Sequence, residues 1–386
     1  MIYLDNAATS LPKPEQVYRT MDGFFRQGAA NPGRAGYRLS MEAEREVEGA
    51  RKALADLFGA SEPERVVFTL NATDAINMAL KGLLKEGDHV ITTNLEHNSV
   101  TRPVCGLEKR GGISVTRIKT SPEGFLDPGD VKKAITGQTR LIVMTHAPNV
   151  LGTIQPIREI GRLARERQKI FMVDAAQSAG AWPINVEDDF IDLLAFTGHK
   201  ALFGPPGTGG LYVGKGVQIS PWREGGTGVD SESPIHPPRL PFGLEAGTPN
   251  FLGIVGLKAG VEFIRETGIE EIMRHGHQLL TKILDGIQGD DRFTLYGPTG
   301  TENRMPIVSL NIKGLEPSLA GGILDGTYGI AARSGLHCAP FTHKTMGTFP
   351  QGAVRISPGY FNTADDIVQL LTALKDIASS AKTTAG

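Results

Sequence analysis

The chain has 386 residues, 40% of them hydrophobic and 21% charged, proportions of an ordinary globular protein with room for two domains. Its net charge of −2 gives no electrostatic reason to expect a nucleic-acid or membrane partner. Two cysteines, Cys105 and Cys338, are too few for a disulfide framework, no apolar run approaches the ~18 residues of a membrane helix, and the opening MIYLDNAATS lacks the regions of a signal peptide, so the expectation is a cytoplasmic protein in a reducing compartment.

Residues 2–4 read as a short strand and Asp5 to Thr9 as a turn of small residues. Residues 15–26 carry a helical pattern, with Val17, Met21, Phe24 and Phe25 on one side. A loop at 31–37 precedes a helix expected from Ser40, as N-cap, to Phe58. Residues 65–70 form a strand running into Asn71-Ala72-Thr73-Asp74, and 75–84 a helix. A strand that feeds a helix through small, hydroxyl-bearing residues is either an anion site at a helix N-terminus or an ordinary N-cap by Thr73. The strand at 89–93 ends near His97, a position where histidine is commonly a hydrogen-bonded structural residue. Cys105, on the following helix, reads as a small buried hydrophobe. Strands at 113–118 and 141–144 flank a helix at 128–135; after them Asn149 stands in a turn, and 157–167 is helical.

Two apolar runs, 170–173 and 193–196, are short enough to be strands buried on both faces. The first ends at Asp174 with Gln177 three residues on, the second at Thr197-Gly198-His199-Lys200. Open α/β sheets do their chemistry beyond the carboxyl ends of such strands, so a carboxylate and an ammonium face one crevice. Pyridoxal phosphate (PLP) chemistry needs that pair: a lysine holds the aldehyde as a Schiff base, and a carboxylate keeps the pyridine nitrogen protonated. The run Gly204-Pro205-Pro206-Gly207-Thr208-Gly209-Gly210 mimics a nucleotide-binding P-loop, but Gly210 and Leu211 stand where Lys and Ser/Thr are required. A long loop spans 218–241, followed by Glu245-Ala246-Gly247-Thr248-Pro249-Asn250. Helices at 254–266 and 269–287, strands at 293–296 and 307–312, a helix at 317–324, a strand at 353–357 and a helix at 364–377 suggest a smaller α+β domain, with a loose tail at 381–386. Within it, Arg333-Ser334-Gly335-Leu336-His337-Cys338-Ala339-Pro340 sets a free thiol beside a histidine in a glycine-containing loop, a candidate nucleophile. Arg333 suits bidentate capture of a carboxylate.

In motif order and over nearly its whole length, the chain resembles the class V aminotransferases of PLP fold-type I, and within them the cysteine desulfurases. The R-x-G-x-H-C-A stretch is similar to the SufS-like group II and selenocysteine lyase branch. Leu336 departs from it, standing where many such enzymes have a histidine, which leaves room for a related lyase. The resemblance implies an α/β fold: a large PLP-binding domain, 14–252, with a mostly parallel sheet flanked by helices, and a small domain, 253–386, completed by residues 1–13. It implies that Lys200 binds the cofactor and moves protons, Asp174 holds the pyridine nitrogen, His97 stacks on the ring and supports proton transfer, and Asn149 and Gln177 address the phenolic oxygen. Ala72, Thr73, Thr197 and His199 would hold the phosphate, joined by Thr248 from the neighbouring subunit of a homodimer. Ala7, Ala8, Asn149, Arg333 and Arg355 would bind the amino-acid substrate, cysteine or selenocysteine, and Cys338 would carry a persulfide toward a sulfur-acceptor protein. No metal is implied. Other expectations consistent with the residues are a different class V lyase or transaminase, or a non-enzymatic phosphate- or partner-binding sheet protein.

Overall fold

The computed structural model describes residues 1–27, 30–33 and 36–384. Arg34 and Ala35 of the expected loop, and Ala385 and Gly386 of the expected tail, lie outside the described residues. The chain opens with β1 (Ile2–Tyr3), α1 (Glu15–Arg26) and α2 (Arg38–Leu57). Strands and helices then alternate: β2 (Val66–Thr69), α3 (Ala72–Leu83), β3 (Asp88–Thr93), α4 (Asn98–Lys109), β4 (Ile113–Ile118), α5 (Pro128–Ala134), β5 (Thr139–Thr145), α6 (Ile157–Glu166), β6 (Ile170–Asp174), β7 (Leu193–Thr197) and β8 (Gly209–Val213).

These seven strands, β2 to β8, form one sheet in the order β2-β8-β7-β6-β5-β3-β4. Pairings along it are parallel except at β8, which runs against both β2 and β7. Helices cover both faces, so β2, β7 and β8 are buried at every residue. That is why these strands read as continuous apolar runs rather than alternating ones. The glycine pair that opens β8 has a packing reason. A Cβ on Gly209 would lie 2.7 Å from the Asn71 Cα, and one on Gly210 would lie 2.8 Å from the Val67 carbonyl oxygen. The backbones of β8 and β2 are too close there for any side chain.

The remainder contains α7 (Phe251–Thr267), α8 (Ile269–Ile287), β9 (Phe293–Tyr296), β10 (Val308–Ile312), α9 (Pro317–Tyr328), β11 (Ile330–Ala331), β12 (Arg333–Gly335), α10 (Pro340–Thr345), β13 (Ala353–Ile356) and α11 (Ala364–Thr384). A four-stranded antiparallel sheet, β12-β13-β10-β9, carries α8, α9 and α11. Its core includes Leu4 from the chain start, alongside Leu280, Leu310, Ile356 and Leu374. Strand β1 pairs in parallel with β11, and Asp5 bridges to Ser357. Helix α7 lies almost wholly beyond residue 252 in sequence, yet its Ile254, Leu257, Val261 and Ile264 share the core of the large sheet.

Local details differ from the sequence reading. Helix α2 is capped by Tyr37, while Ser40 is buried in its first turn and donates to the Asn31 and Gly33 carbonyls. On α1 only Val17 is buried, and Phe25 is exposed to solvent. Cys105 is half-buried and accepts a hydrogen bond from Arg117 at 3.2 Å rather than packing as a hydrophobe. Helix α11 continues to Thr384, through most of the expected tail. Among the described residues no helix is long and apolar enough to cross a membrane.

Candidate active site

Strands β6 and β7 pair in parallel with Asp174 opposite Ala195, so their carboxyl ends open side by side. A cavity of about 620 Å³ lies there, between the large sheet and β12–β13. Asp174, Gln177, Thr197, His199 and Lys200 line it, as do Ala72, Thr73, His97 and Asn149 from neighbouring strand ends. Ala7 and Ala8 enter from the chain start, and Arg333, Cys338 and Arg355 from the small sheet. Every sequence-nominated residue except Thr248 meets in this one space. Thr248 is exposed and belongs to a separate surface depression with Phe68, Asp74 and Arg223. Glu245, in the same segment, accepts from buried Arg51 at 2.8 and 3.1 Å and from the Phe68 backbone N–H at 2.7 Å, which anchors the loop.

Asp174 is buried, accepting from the Ala176 N–H at 2.9 Å and from the Ser99 hydroxyl at 3.4 Å. Burial raises its pKa, against those hydrogen bonds and the Lys200 charge. Desolvation lowers Lys200 to about 8, with Asp174 opposing and the guanidiniums of Arg355 and Arg333 assisting. A lysine so placed is a usable base or nucleophile near neutral pH. His97 caps α4: its Nδ1 accepts the Ser99 backbone N–H at 3.0 Å. That bond places the proton of the neutral ring on Nε2. Burial, then the positive charge of Lys200, lower its pKa to about 4. That shift favours the neutral ring at physiological pH.

At the start of α3 the cap is Asn71, whose Oδ1 accepts from the Asp74 N–H at 2.9 Å; Thr73 is not the cap and faces the cavity. The first-turn N–H groups of α3 therefore border the cavity with the positive end of the helix dipole. Two buried oxygens lining the same space, Thr197 Oγ1 and Asn149 Oδ1, have no protein partner. Unpaired buried polar atoms of this kind mark the place of a polar ligand. The set suits a molecule with an anionic end near α3, a polar ring substituent near Asn149 and a basic ring atom near Asp174. Other ties fix the wall. Gln177 donates to the Ala7 carbonyl at 2.9 Å, and the Ala7 N–H donates to the Ser357 hydroxyl at 3.0 Å.

Cys338 is exposed at a tight turn in which His337 (φ 48°) and Cys338 (φ 56°) are both left-handed. Non-glycine residues adopt that conformation only where surroundings enforce it. Asn149 Nδ2 donates to the His337 carbonyl at 2.7 Å, and the Asn98 N–H donates to the Cys338 carbonyl at 2.7 Å. The His337 ring is buried, with Nε2 at 3.2 Å from the Arg333 carbonyl and Nδ1 at 3.4 Å from His343; burial lowers its pKa to about 3. The sequence reading missed Asp5, whose carboxylate accepts from Arg333 Nε at 2.9 Å and Arg355 Nη2 at 2.7 Å. No local signal marks it, because its partners lie more than 300 residues away.

The family model for class-V aminotransferases matches residues 2–370. A protein of Methanothermobacter thermautotrophicus named "probable cysteine desulfurase" is 38% identical over 98% of this chain and 94% of its own. A cysteine desulfurase structure from Thermococcus onnurineus superposes with a TM-score of 0.92 at 35% identity, covering 98% of this chain and 95% of that one. The cysteine desulfurase CsdA of Escherichia coli gives a TM-score of 0.87 at 29% identity, with 98% and 94% covered.

Proposed function

Because the chain belongs to the class-V aminotransferase family, we propose that it is a PLP-dependent cysteine desulfurase, converting L-cysteine to L-alanine and retaining the sulfur on Cys338 as a persulfide. The observation that carries this reading is the exposed Cys338 in one cavity with Lys200, Asp174, Arg333 and Arg355. PLP, when bound, supplies an electron sink for bonds at the substrate's α-carbon.

The protein's groups divide the remaining work. Asp174 would hold the ring nitrogen, neutral His97 would cover the ring face, and Asn149 and Gln177 would address the phenolic oxygen. Ala72, Thr73, Thr197 and His199 would bind the phosphate, with Thr248 supplied by the second subunit of a homodimer. Thr248 is exposed and outside its own cavity, which supports that arrangement. Arg333 and Arg355 would take the substrate carboxylate, over a floor made by Ala7 and Ala8. Lys200 Nζ, with its pKa lowered to about 8, would hold and move the proton at the α-carbon. The Cys338 thiolate bonds to the substrate sulfur as the substrate's carbon–sulfur bond breaks, and the bonding pair leaves with the carbon that becomes the methyl group of alanine. The persulfide then passes to an acceptor protein in the cytoplasm.

A second reading, selenocysteine lyase or another class V lyase, is favoured by Leu336, which leaves an apolar residue two positions before the thiol. Alanine released from cysteine, selenocysteine and cysteine sulfinate separates the readings. The wild type should be yellow with PLP and release sulfide from cysteine in the presence of a reductant. Lys200→Ala should lose the lysine-linked absorbance, and Cys338→Ser should lose sulfide release while remaining yellow. Undiminished desulfuration by Cys338→Ser would sink the persulfide reading.

A further inference from the structure

Around the turn that presents Cys338 the chain departs from its average charge. It carries 40 lysines and arginines and 42 acids in all. Yet residues 97–122 hold Arg102, Lys109, Arg110, Arg117 and Lys119 against one acid, Glu108, and residues 326–364 hold Arg333, Lys344 and Arg355 with no acid at all. The fold brings these two stretches together. Helix α4 starts at the thiol turn, where the Asn98 N–H donates to the Cys338 carbonyl. Helix α10 leaves the same turn at Pro340. Asn94 Nδ2 ties α10 back by donating to Thr345 Oγ1 at 2.7 Å, and Asn94 Oδ1 accepts the Thr120 N–H, next to Lys119, at 3.1 Å. Arg117, on the edge strand β4, bonds Glu108 of α4 at 2.8 Å and lays its guanidinium over the Phe341 ring of α10. That pair takes up the Glu108 charge. Arg102, Lys119 and Lys344 are exposed, and among the described residues none of them forms an ion pair. The Arg102 charge is felt at the His97 ring on the cavity wall. Lys344 sits over Phe349, an aromatic ring that is 45% exposed, at 5.1 Å.

We propose that this face, made by α4, β4 and α10 beside Cys338, is the docking surface for the sulfur-accepting protein, and that the partner meets it with an acidic segment and an apolar residue next to its own acceptor cysteine. The inference rests on the persulfide reading given above. Charge complementarity names the occupant. Unpaired surface cations beside a reactive thiol raise the local concentration of an acidic partner and fix its orientation. The exposed Phe349 ring, with Lys344 across it, offers the apolar anchor that charge alone does not supply. The transfer balances without a further reagent. The partner's thiolate bonds to the outer sulfur of the Cys338 persulfide, the sulfur–sulfur bond breaks with its electron pair on the Cys338 sulfur, and the partner leaves as the persulfide. A nucleic acid carries the same sign of charge but brings no thiolate to take the sulfur, which favours a protein.

The test uses PLP-loaded protein in a Cys105→Ser background and three peptides of equal length, each with one central cysteine flanked by glutamates, by glycines and serines, or by lysines. Two rates are read. One is sulfur transfer from the Cys338 persulfide to the peptide thiol. The other needs no persulfide: it is the release of thionitrobenzoate when the Cys338 thiolate attacks the mixed disulfide of that group with the peptide. At low salt the glutamate peptide should react at least tenfold faster than the neutral one, and the lysine peptide more slowly. The spread should collapse near about 0.5 M salt, where screening acts within a few ångströms. Arg102→Glu combined with Lys344→Glu should shrink the glutamate-to-neutral ratio at least fivefold, with alanine formation from cysteine under excess reductant unchanged. Should that pair fail to fold, Lys119→Glu alone is read in the same way. Equal rates for the three peptides overturn the proposal. A ratio that survives charge reversal also overturns it, because the attraction then comes from Lys200, Arg333 and Arg355 within the cavity. So does a ribo-oligonucleotide that displaces the glutamate peptide at lower concentration than polyglutamate of equal charge, a result that gives the face to nucleic acid. If cysteine leaves no sulfur on Cys338, the persulfide reading fails, while the disulfide-exchange rates still decide whether this face selects acidic partners.

Discussion

The side-chain amide of Asn149 donates to the main-chain carbonyl of His337 at 2.7 Å, joining the loop after β5 to the turn that presents Cys338. With the Asn98 N–H on the next carbonyl, it holds two successive left-handed residues in place. Asn149→Ala leaves the His337 carbonyl unpaired, at a cost of about 1–2 kcal/mol, and frees the turn. In a Cys105→Ser background, Cys338 of Asn149→Ala should react with iodoacetamide several-fold faster than the parent. An equal rate shows that the turn needs no such tie.

Lys200 offers a pH dependence. Its lysine value falls from 10.5 to about 8 because burial penalises the ammonium. Only the free amine attacks an aldehyde, and that form grows as pH rises through about 8. The rate of PLP uptake by cofactor-stripped protein should therefore climb between pH 7 and 9 and level off above. A climb centred near 10.5 shows an ordinary, solvated lysine.

Glu96 is buried beside Asp174, with Oε1 accepting from Thr93 at 2.6 Å and Oε2 without a partner. Burial, reinforced by the Asp174 charge, raises it from 4.5 to about 8. Its folded-state pKa lies above the unfolded one, so between pH 4.5 and 8 the folded protein binds the extra proton and loses stability as pH rises. Glu96→Gln removes that loss. The variant should gain in melting temperature over wild type from pH 5 to pH 8, and a constant difference contradicts a protonated Glu96.

Arg51 is buried, and Glu245 pairs with it while also receiving the Phe68 N–H. Glu245→Ala leaves the buried guanidinium with Glu48, through Nε at 3.2 Å, as its remaining ionic partner and should cost about 3 kcal/mol in urea unfolding. Arg51→Met combined with Glu245→Leu should recover part of it. The single variant should also weaken PLP retention if the anchored loop carries Thr248 into a second subunit.

Much of this architecture could be read in advance where the cause is local. Strands β6 and β7 announced themselves as apolar runs closed by Asp174 and by Thr197 to Lys200, because burial on both faces leaves no alternation. What escaped depends on distance or on backbone crowding. Asp5 sits in a turn of small residues and acquires meaning only from arginines at 333 and 355. The reversal of β8 is hidden because a buried antiparallel strand has the same composition as a parallel one. Short pieces such as β11, β12 and α10 are set by pairing partners and by the arginine-to-thiol loop rather than by periodicity. At α3, Asn71 and Thr73 are both good caps, and side-chain reach decided between them.

The grip of Asp5 on Arg355 spans 350 positions, and it carries a consequence for synthesis. A ribosome delivers the acid among its first residues and the guanidinium among its last. Until β13 emerges, a nascent chain can display the thiol of Cys338 but not the charge balance beside it. A fragment that stops short of β13 therefore lacks the ion pair that ties the start of the chain to the small sheet.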